Sequence, residues 1–170
     1  MSSFKKVVMC GYAEAPQAAP AECATSPGLT IKAGAGPSDQ TTAVRSRWVV
    51  PTRHVPKPWG SEEHFALVEG KYCGKLLRIT AGHALSLQLH QHKDETIALQ
   101  SGRLLVEIGE SVNALDTLEL ASGEAIRIRP GVVHRMTALT DAVVLEASTT
   151  ELEDVVRIED RYGREGTSAP

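Results

Sequence analysis

The fold is decided by the stretch LSLQLHQHKDE at residues 85–95. Apolar and polar residues alternate at its start, which is the pattern of a half-buried β-strand. Because alternate side chains of a strand share a face, Gln88, His90 and His92 are expected to point the same way. Two imidazoles separated by one residue then converge on one ion, and Glu95 supplies a carboxylate at the start of the next strand. The stretch therefore predicts a strand that carries a metal site.

A second segment, GEAIRIRPGVVH at residues 123–134, offers a further ligand. His134 follows a Pro-Gly turn, whereas His83 lies too far back on the first segment and is interpreted as a turn residue. Three imidazoles and one carboxylate suit a divalent transition metal, namely Zn, Fe, Mn, Ni or Co. Four protein ligands leave one or two positions open on a five- or six-coordinate ion, as a catalytic metal requires. The predicted ligands are His90, His92, Glu95 and His134.

Short runs of β-branched or alternating residues recur every 8–12 residues from Trp48 onward, separated by Gly or polar turns. This spacing is typical of a β-sandwich or barrel. No strong amphipathic helix is expected in this part of the chain. The predicted strands are His64–Val68, Tyr72–Thr80, Leu85–His90, Glu95–Gln100, Arg103–Ile108, Thr117–Leu120, Ala125–Ile128, His134–Ala138, Ala142–Ser148 and Val155–Glu159.

The preceding residues have a different composition. Residues 11–46 are rich in Ala, Gly, Pro, Ser and Thr and show no hydrophobic period. Such a segment cannot bury enough apolar surface to offset its ordering entropy. We therefore predict a flexible, disordered extension over residues 1–46 and one domain over residues 47–170.

Composition and charge exclude several classes of function. The 170 residues are 42% hydrophobic with a formal charge of -3, which gives no reason to expect nucleic acid or an anionic membrane as a partner. No apolar run approaches the roughly 20 residues that span a bilayer. Cys10, Cys23 and Cys73 form no CxxC pair, and reduced thiols in a cytoplasmic protein are the expected state.

The two histidine segments resemble the two signature motifs of the cupin superfamily. Gly82, His90, His92, Glu95 and Gly102 match the first motif, G…HxH…E…G. The second motif, G…PxGxxH, is matched by Gly123, Gly131 and His134, with Pro130 one place late. The sequence is most similar to the C-terminal cupin domain of type II mannose-6-phosphate isomerases. The shared signatures are PWG at 58–60, LSLQLHQH at 85–92, PGVVHR at 130–135 and DVVRIEDRYGR at 154–164.

This resemblance implies an all-β fold, a single small cupin barrel of the double-stranded β-helix or jelly-roll type. It also implies a metal-dependent sugar-phosphate isomerase that acts on a sugar phosphate or polyol and associates as a homodimer. Lys93 and Thr96 stand where that branch favours Arg and His, and no nucleotidyltransferase half is recognisable. An Fe(II)-dependent dioxygenase and a non-catalytic sugar- or metabolite-binding module are the alternatives. No catalytic base is assigned, because ligation of the metal would compromise Glu95.

Two further residues are candidates for substrate binding. Gln88 shares the predicted inward face and either binds a sugar hydroxyl or is a polar residue satisfied inside the barrel. Arg78 resembles a basic position in an early strand of the family and either binds a phosphate or carboxylate or is exposed. Trp59 is expected either to anchor an N-terminal arm or to stack on a sugar ring, and the arm either covers a sheet edge of a neighbouring subunit or folds back on its own barrel. Residues 159–164 are expected to pack on the barrel.

Overall fold

Two antiparallel sheets enclose the core of the protein in a computed structural model, which describes residues 39–166. One helix and eleven strands lie within those residues. Their bounds are α1 Asp39–Trp48, β1 Arg53–Lys57, β2 Gly60–Val68, β3 Tyr72–Ile79, β4 Leu87–Leu89, β5 Glu95–Ser101, β6 Leu104–Ser111, β7 Ala114–Leu120, β8 Ala125–Ile128, β9 Val133–Ala138, β10 Ala142–Ser148 and β11 Val156–Glu159. In the described residues, no helix is long and apolar enough to cross a membrane.

The strands divide between a six-stranded sheet, in the order β1-β2-β3-β10-β5-β8, and a five-stranded sheet, in the order β11-β4-β9-β6-β7. Alternate residues of each strand point inward, and those from both sheets form one core. Leu77, Ile97 and Val144 come from the larger sheet, while Val106 and Met136 come from the smaller one. This architecture confirms the predicted all-β cupin barrel.

Helix α1 was not predicted and straddles the expected boundary between extension and domain. Ala43, Arg45 and Arg47 are good helix formers, and the two arginines in the last turn favour the helix dipole. Val44 and Trp48 are exposed, so the helix has no buried apolar stripe that sequence periodicity could reveal. The boundary between residues 46 and 47 stays a prediction, and residues 1–38 lie outside the described part of the chain.

The expected N-terminal arm instead belongs to the barrel of its own chain. Strand β1 pairs with β2 through a tight turn, and Trp59 in that turn is only 3% exposed within the core. Gly60 makes the turn possible, because its φ is +145° and a Cβ there would lie 2.0 Å from the carbonyl oxygen of Arg78. Trp59 therefore anchors the hairpin to its own barrel rather than reaching a neighbour.

The C-terminal segment packs on the barrel as predicted. Strand β11 pairs with β4, and Tyr162 packs against the core. The Tyr162 hydroxyl lies 3.0 Å from Nδ1 of His83, which is the predicted turn residue. Arg164 donates to Asp160 at 2.8 Å and 3.1 Å, so this segment is held by its own ion pair as well as by the barrel.

Candidate metal centre

Three buried side chains converge where the ends of three strands meet. His90 follows β4, Glu95 begins β5 and His134 lies on β9, and their possible ligand atoms all lie within 4.8 Å of one another. Oε1 of Glu95 is 3.7 Å from Nε2 of His90 and 3.4 Å from Nε2 of His134. The exposed fractions of the three residues are 2%, 3% and 1%, so the cluster is shielded from bulk water.

The hydrogen bonds of the two rings assign their tautomers. The Nδ1–H of His90 donates to the backbone carbonyl of Asp154, and that of His134 donates to the carbonyl of Val132 at 3.1 Å. Each Nε2 therefore carries a lone pair, and Nε2 of His90 is buried without a hydrogen-bond partner. An unsatisfied buried nitrogen is destabilising, and a metal ion would satisfy it. The donor set of two imidazoles and a carboxylate thus fits one divalent transition metal.

Glu95 also belongs to a buried chain of charges that sequence reasoning missed. Its second oxygen accepts from the Lys93 ammonium group, which lies 2.7 Å from Glu146. Glu146 in turn accepts from Lys75 at 3.1 Å and from Ser148 at 2.9 Å. Lys75 and Glu146 lie two residues from core positions of β3 and β10 and therefore share the inward, apolar face of their strands. A charged residue on such a face was the sequence feature that could have indicated these contacts. Because Lys93 occupies Oε2 of Glu95, only Oε1 of Glu95 faces the two histidines.

Electrostatics favours the ligand forms of these groups. Burial opposes ionisation of Glu95, but the adjacent His90 ring and the charge of Lys93 bring its pKa well below the usual range. Burial is the main cause that lowers the pKa of His134. Burial also disfavours the charge of Lys93, but Glu146 and Glu95 outweigh it and raise the pKa of Lys93. A neutral imidazole and an ionised carboxylate, the forms that bind metal, are both favoured.

His92 lies outside the cluster and is exposed. Strand β4 ends at Leu89, so the side-chain alternation on which the prediction depended stops before His92. The carboxylate of Asp154 accepts backbone N–H groups from Gln91 at 3.0 Å, His92 at 2.6 Å and Lys93 at 2.8 Å. The described cluster that could hold a metal ion thus comprises three residues, and His92 as a fourth ligand stays a prediction.

The two predicted substrate-binding residues have different environments. Gln88 lines a cavity of about 160 Å³, with its amide nitrogen 3.4 Å from Nε2 of His134 and its oxygen accepting from Ser86 at 2.6 Å. The Arg78 side chain is 55% exposed, lies 3.8 Å from Glu63 and does not line that cavity. Lys75, Leu77 and Ile79 take the inward positions of β3, so alternation directs Arg78 outward.

The cavity joins the metal cluster to a wall that the sequence did not reveal. His90 and Glu95 line one part of it. The hairpin of β1 and β2 and the C-terminal segment line another part, with side chains that are mostly charged. These residues are Arg53, Lys57, Glu62, His64, Arg157 and Arg164. The cavity is thus suited to a polar or anionic small molecule.

Comparison with known proteins places this site in a family. The family model described as the C-terminal region of mannose-6-phosphate isomerase matches residues 45–160. The chain belongs to the mannose-6-phosphate isomerase C-terminal family. The three clustered residues that could bind a metal, together with Lys93 and Glu146, lie inside this match.

Relatives of this chain among known proteins are longer than the chain. Mannose-1-phosphate guanylyltransferase ManC of Salmonella typhimurium is 33% identical over 117 residues, which are 66% of this chain and 23% of that protein. The alginate biosynthesis protein AlgA of Pseudomonas putida is 31% identical over 118 residues, again 66% of this chain and 23% of that protein. The chain thus spans about a quarter of the length of these relatives.

Solved structures with low sequence identity share the fold. The capsular polysaccharide assembling protein CapF from Staphylococcus aureus has a TM-score of 0.59 at 17% identity, over 68% of this chain and 34% of that chain. Oxalate decarboxylase from Lactobacillus farciminis has a TM-score of 0.54 at 14% identity, over 63% and 33% of the respective chains. These similarities support the cupin barrel.

Proposed function

We propose that this chain is a metal-dependent sugar-phosphate isomerase of the mannose-6-phosphate isomerase type. The observation that carries the proposal is the buried cluster of His90, Glu95 and His134, in which Nε2 of His90 has no hydrogen-bond partner. Membership of the mannose-6-phosphate isomerase C-terminal family supports it, as do relatives whose names refer to mannose 1-phosphate. The expected small-molecule partner is a sugar phosphate. Association with a second copy of the chain as a homodimer stays a prediction.

Each part of the site has a role in this activity. His90, Glu95 and His134 would hold the metal, which when bound polarises a sugar carbonyl and the adjacent hydroxyl. The carbonyls of Asp154 and Val132 hold the two rings in the ligand tautomer. Lys93 keeps Glu95 ionised and occupies its second oxygen, which leaves Glu95 unsuited to act as the base. Gln88, beside His134, is placed to hydrogen-bond a sugar hydroxyl.

Elemental analysis of purified variants, combined with turnover of mannose 6-phosphate, tests this proposal. His90→Ala and His134→Ala should each remove most of the metal and the turnover, and Glu95→Gln should weaken metal binding less. His92→Ala tests the fourth predicted ligand, because His92 lies outside the cluster of three. His54→Ala is the matched control, since His54 is exposed and was not predicted to bind metal, and it should retain the metal. Stoichiometric metal in all the cluster variants would show that the cluster is not the metal site.

The wild-type protein separates the rival functions. Metal-loaded protein that does not interconvert mannose 6-phosphate and fructose 6-phosphate would contradict the isomerase. Bound iron together with oxygen consumption would instead indicate a dioxygenase. Tight binding of a sugar phosphate without turnover would indicate a sensing module.

A further inference from the structure

We propose that His64, oriented by Glu62, is the group that transfers the proton in the isomerisation. This inference rests on the proposed function and assigns the catalytic base that the sequence left open. His64 and Glu62 lie outside the metal cluster, on strand β2, and line the same cavity as His90 and Glu95. Their side chains are 12% and 15% exposed, so both are largely withdrawn from bulk water.

Strand geometry and one hydrogen bond prepare the imidazole for this role. Glu62 and His64 are two residues apart on β2 and therefore share the inward face. Nε2 of His64 lies 2.9 Å from Oε2 of Glu62, and an ionised carboxylate can only accept, so Nε2–H is the donor. This tautomer carries its lone pair on Nδ1. A carboxylate that orients an imidazole in this way is the usual arrangement of a histidine base.

The other carboxylates that could accept a proton in the described cavity are either engaged by other groups or exposed. Oε1 of Glu95 faces the two metal-binding imidazoles, and its second oxygen pairs with Lys93. Glu146 accepts from both lysines and a serine of the buried charge chain. Glu153 also lines the cavity but is exposed to solvent. His64 is then the remaining candidate base. It is largely shielded from water, its Nε2 is held by Glu62, and its Nδ1 carries the lone pair.

Positively charged side chains surround His64 and Glu62, and they would stabilise the negative charge that develops on the substrate oxygen during proton removal. Lys57 lies 3.3 Å from the other oxygen of Glu62, and Lys75 is directly opposite His64 across β2 and β3. Arg53 also lines the cavity. These groups face the dyad from strands β1 and β3, and their positive field favours an oxyanion on the substrate.

The proposed step balances in atoms and electrons. Nδ1 of His64 removes the proton from C2 of open-chain mannose 6-phosphate, and the C–H electron pair becomes the C1–C2 double bond of an enediol. The carbonyl oxygen on C1 takes up the negative charge and then receives the proton of the neighbouring C2 hydroxyl, so that it becomes a hydroxyl. The imidazolium then returns its proton to C1, while the C2 oxygen, which has given its proton to the C1 oxygen, forms the ketone of fructose 6-phosphate. No oxidant or second substrate is needed.

His64→Gln, assayed as the full metal-loaded chain, tests this assignment. We expect kcat to fall by about 100-fold or more, the usual contribution of a general acid–base group, while metal content and the affinity for mannose 6-phosphate stay near wild type. In D₂O, wild-type protein should incorporate deuterium into the sugar, and the variant should lose this exchange in parallel. His54→Gln is the matched control, since His54 is exposed on the outer side of the same hairpin, and it should leave kcat unchanged.

Two further variants separate proton transfer from structural support. His64→Ala should regain turnover when imidazole is added, which a lost structural contact would not explain. Glu62→Gln should lower kcat less than His64→Gln and leave metal content unchanged, because Glu62 positions the base. A wild-type chain without turnover would overturn the proposed function and this inference together. Full kcat in His64→Gln beside an active wild type would overturn the inference alone.

Discussion

Replacement of Lys93 by Met removes the central cation of the buried charge chain. Lys93 is 5% exposed, and its ammonium group contacts both Glu95 and Glu146. Met keeps a flexible apolar stem of similar length, so the substitution changes charge more than packing. In the metal-free variant, Glu146 keeps its contact with Lys75 at 3.1 Å, while Glu95 loses its ammonium partner.

The expected loss is large because the carboxylates stay buried. Removal of one partner from a buried ion pair typically lowers the free energy of unfolding by about 3–5 kcal/mol. With a urea m-value of about 2 kcal/mol/M, the midpoint of unfolding should move down by about 1.5–2.5 M. Urea titration of chelator-treated protein, followed by circular dichroism, measures this shift. Saturating metal should recover part of it, since the ion restores positive charge beside Glu95.

Arg127→Met provides the matched control for an ion pair at the surface. Arg127 pairs with Asp94 at 2.6 Å, but its side chain is 64% exposed, so its removal should barely move the midpoint. If Lys93→Met lowers the free energy of unfolding by less than about 1 kcal/mol, as expected for an exposed pair, the buried charge chain does not stabilise this fold.

Two other predictions follow from packing and charge. Trp59→Ala should lower the free energy of unfolding, measured by chemical denaturation, by about 3–5 kcal/mol. Trp48→Ala is the control and should leave it almost unchanged, because Trp48 is 70% exposed. Equal effects of the two substitutions would contradict the assignment of Trp59 to the core. Asp160→Asn should lower the Tm by a few degrees at pH 7. The Arg164 hydrogen bond lowers the pKa of Asp160 in the folded protein, so its contribution is present above the unfolded pKa of about 3.9 and is lost as pH falls through the lower folded pKa. The two Tm values should converge at acidic pH, and a constant difference down to pH 2 would contradict the ion pair.

Strands with a buried face could be predicted from the sequence, because alternation is a local property. The bounds of β8 and β10 match the predicted ranges 125–128 and 142–148. Strand β1 was missed because Arg53–Lys57 is mostly polar and contains a proline, which is tolerated at a sheet edge where pairing is one-sided. Helix α1 was missed for a related reason, since no apolar stripe marks an exposed helix.

Only the part of the candidate site that depends on the spacing of residues within short motifs could be predicted from the sequence. His90, Glu95 and His134 were predicted from their motifs and lie together in the structure. The different position of His92 depends on Asp154, which is distant in sequence and bends the chain after β4. The contacts of Glu146 with Lys75 and Lys93 depend on which strands are neighbours, and strand order is a property of the whole sheet.

The bend held by Asp154 has a consequence for the order of events during synthesis. Asp154 fixes the loop through residues that lie 61 to 64 positions earlier in the chain, including the ring of His90. At translation rates of about 5–20 residues per second, the residues of that loop are synthesised roughly 3–12 seconds before Asp154. Until then neither the orientation of the ring nor its ligand tautomer is fixed. Completion of the candidate metal site is therefore expected late in synthesis, and a chain truncated before residue 154 would keep its motif histidines without the contacts that orient the ring of His90.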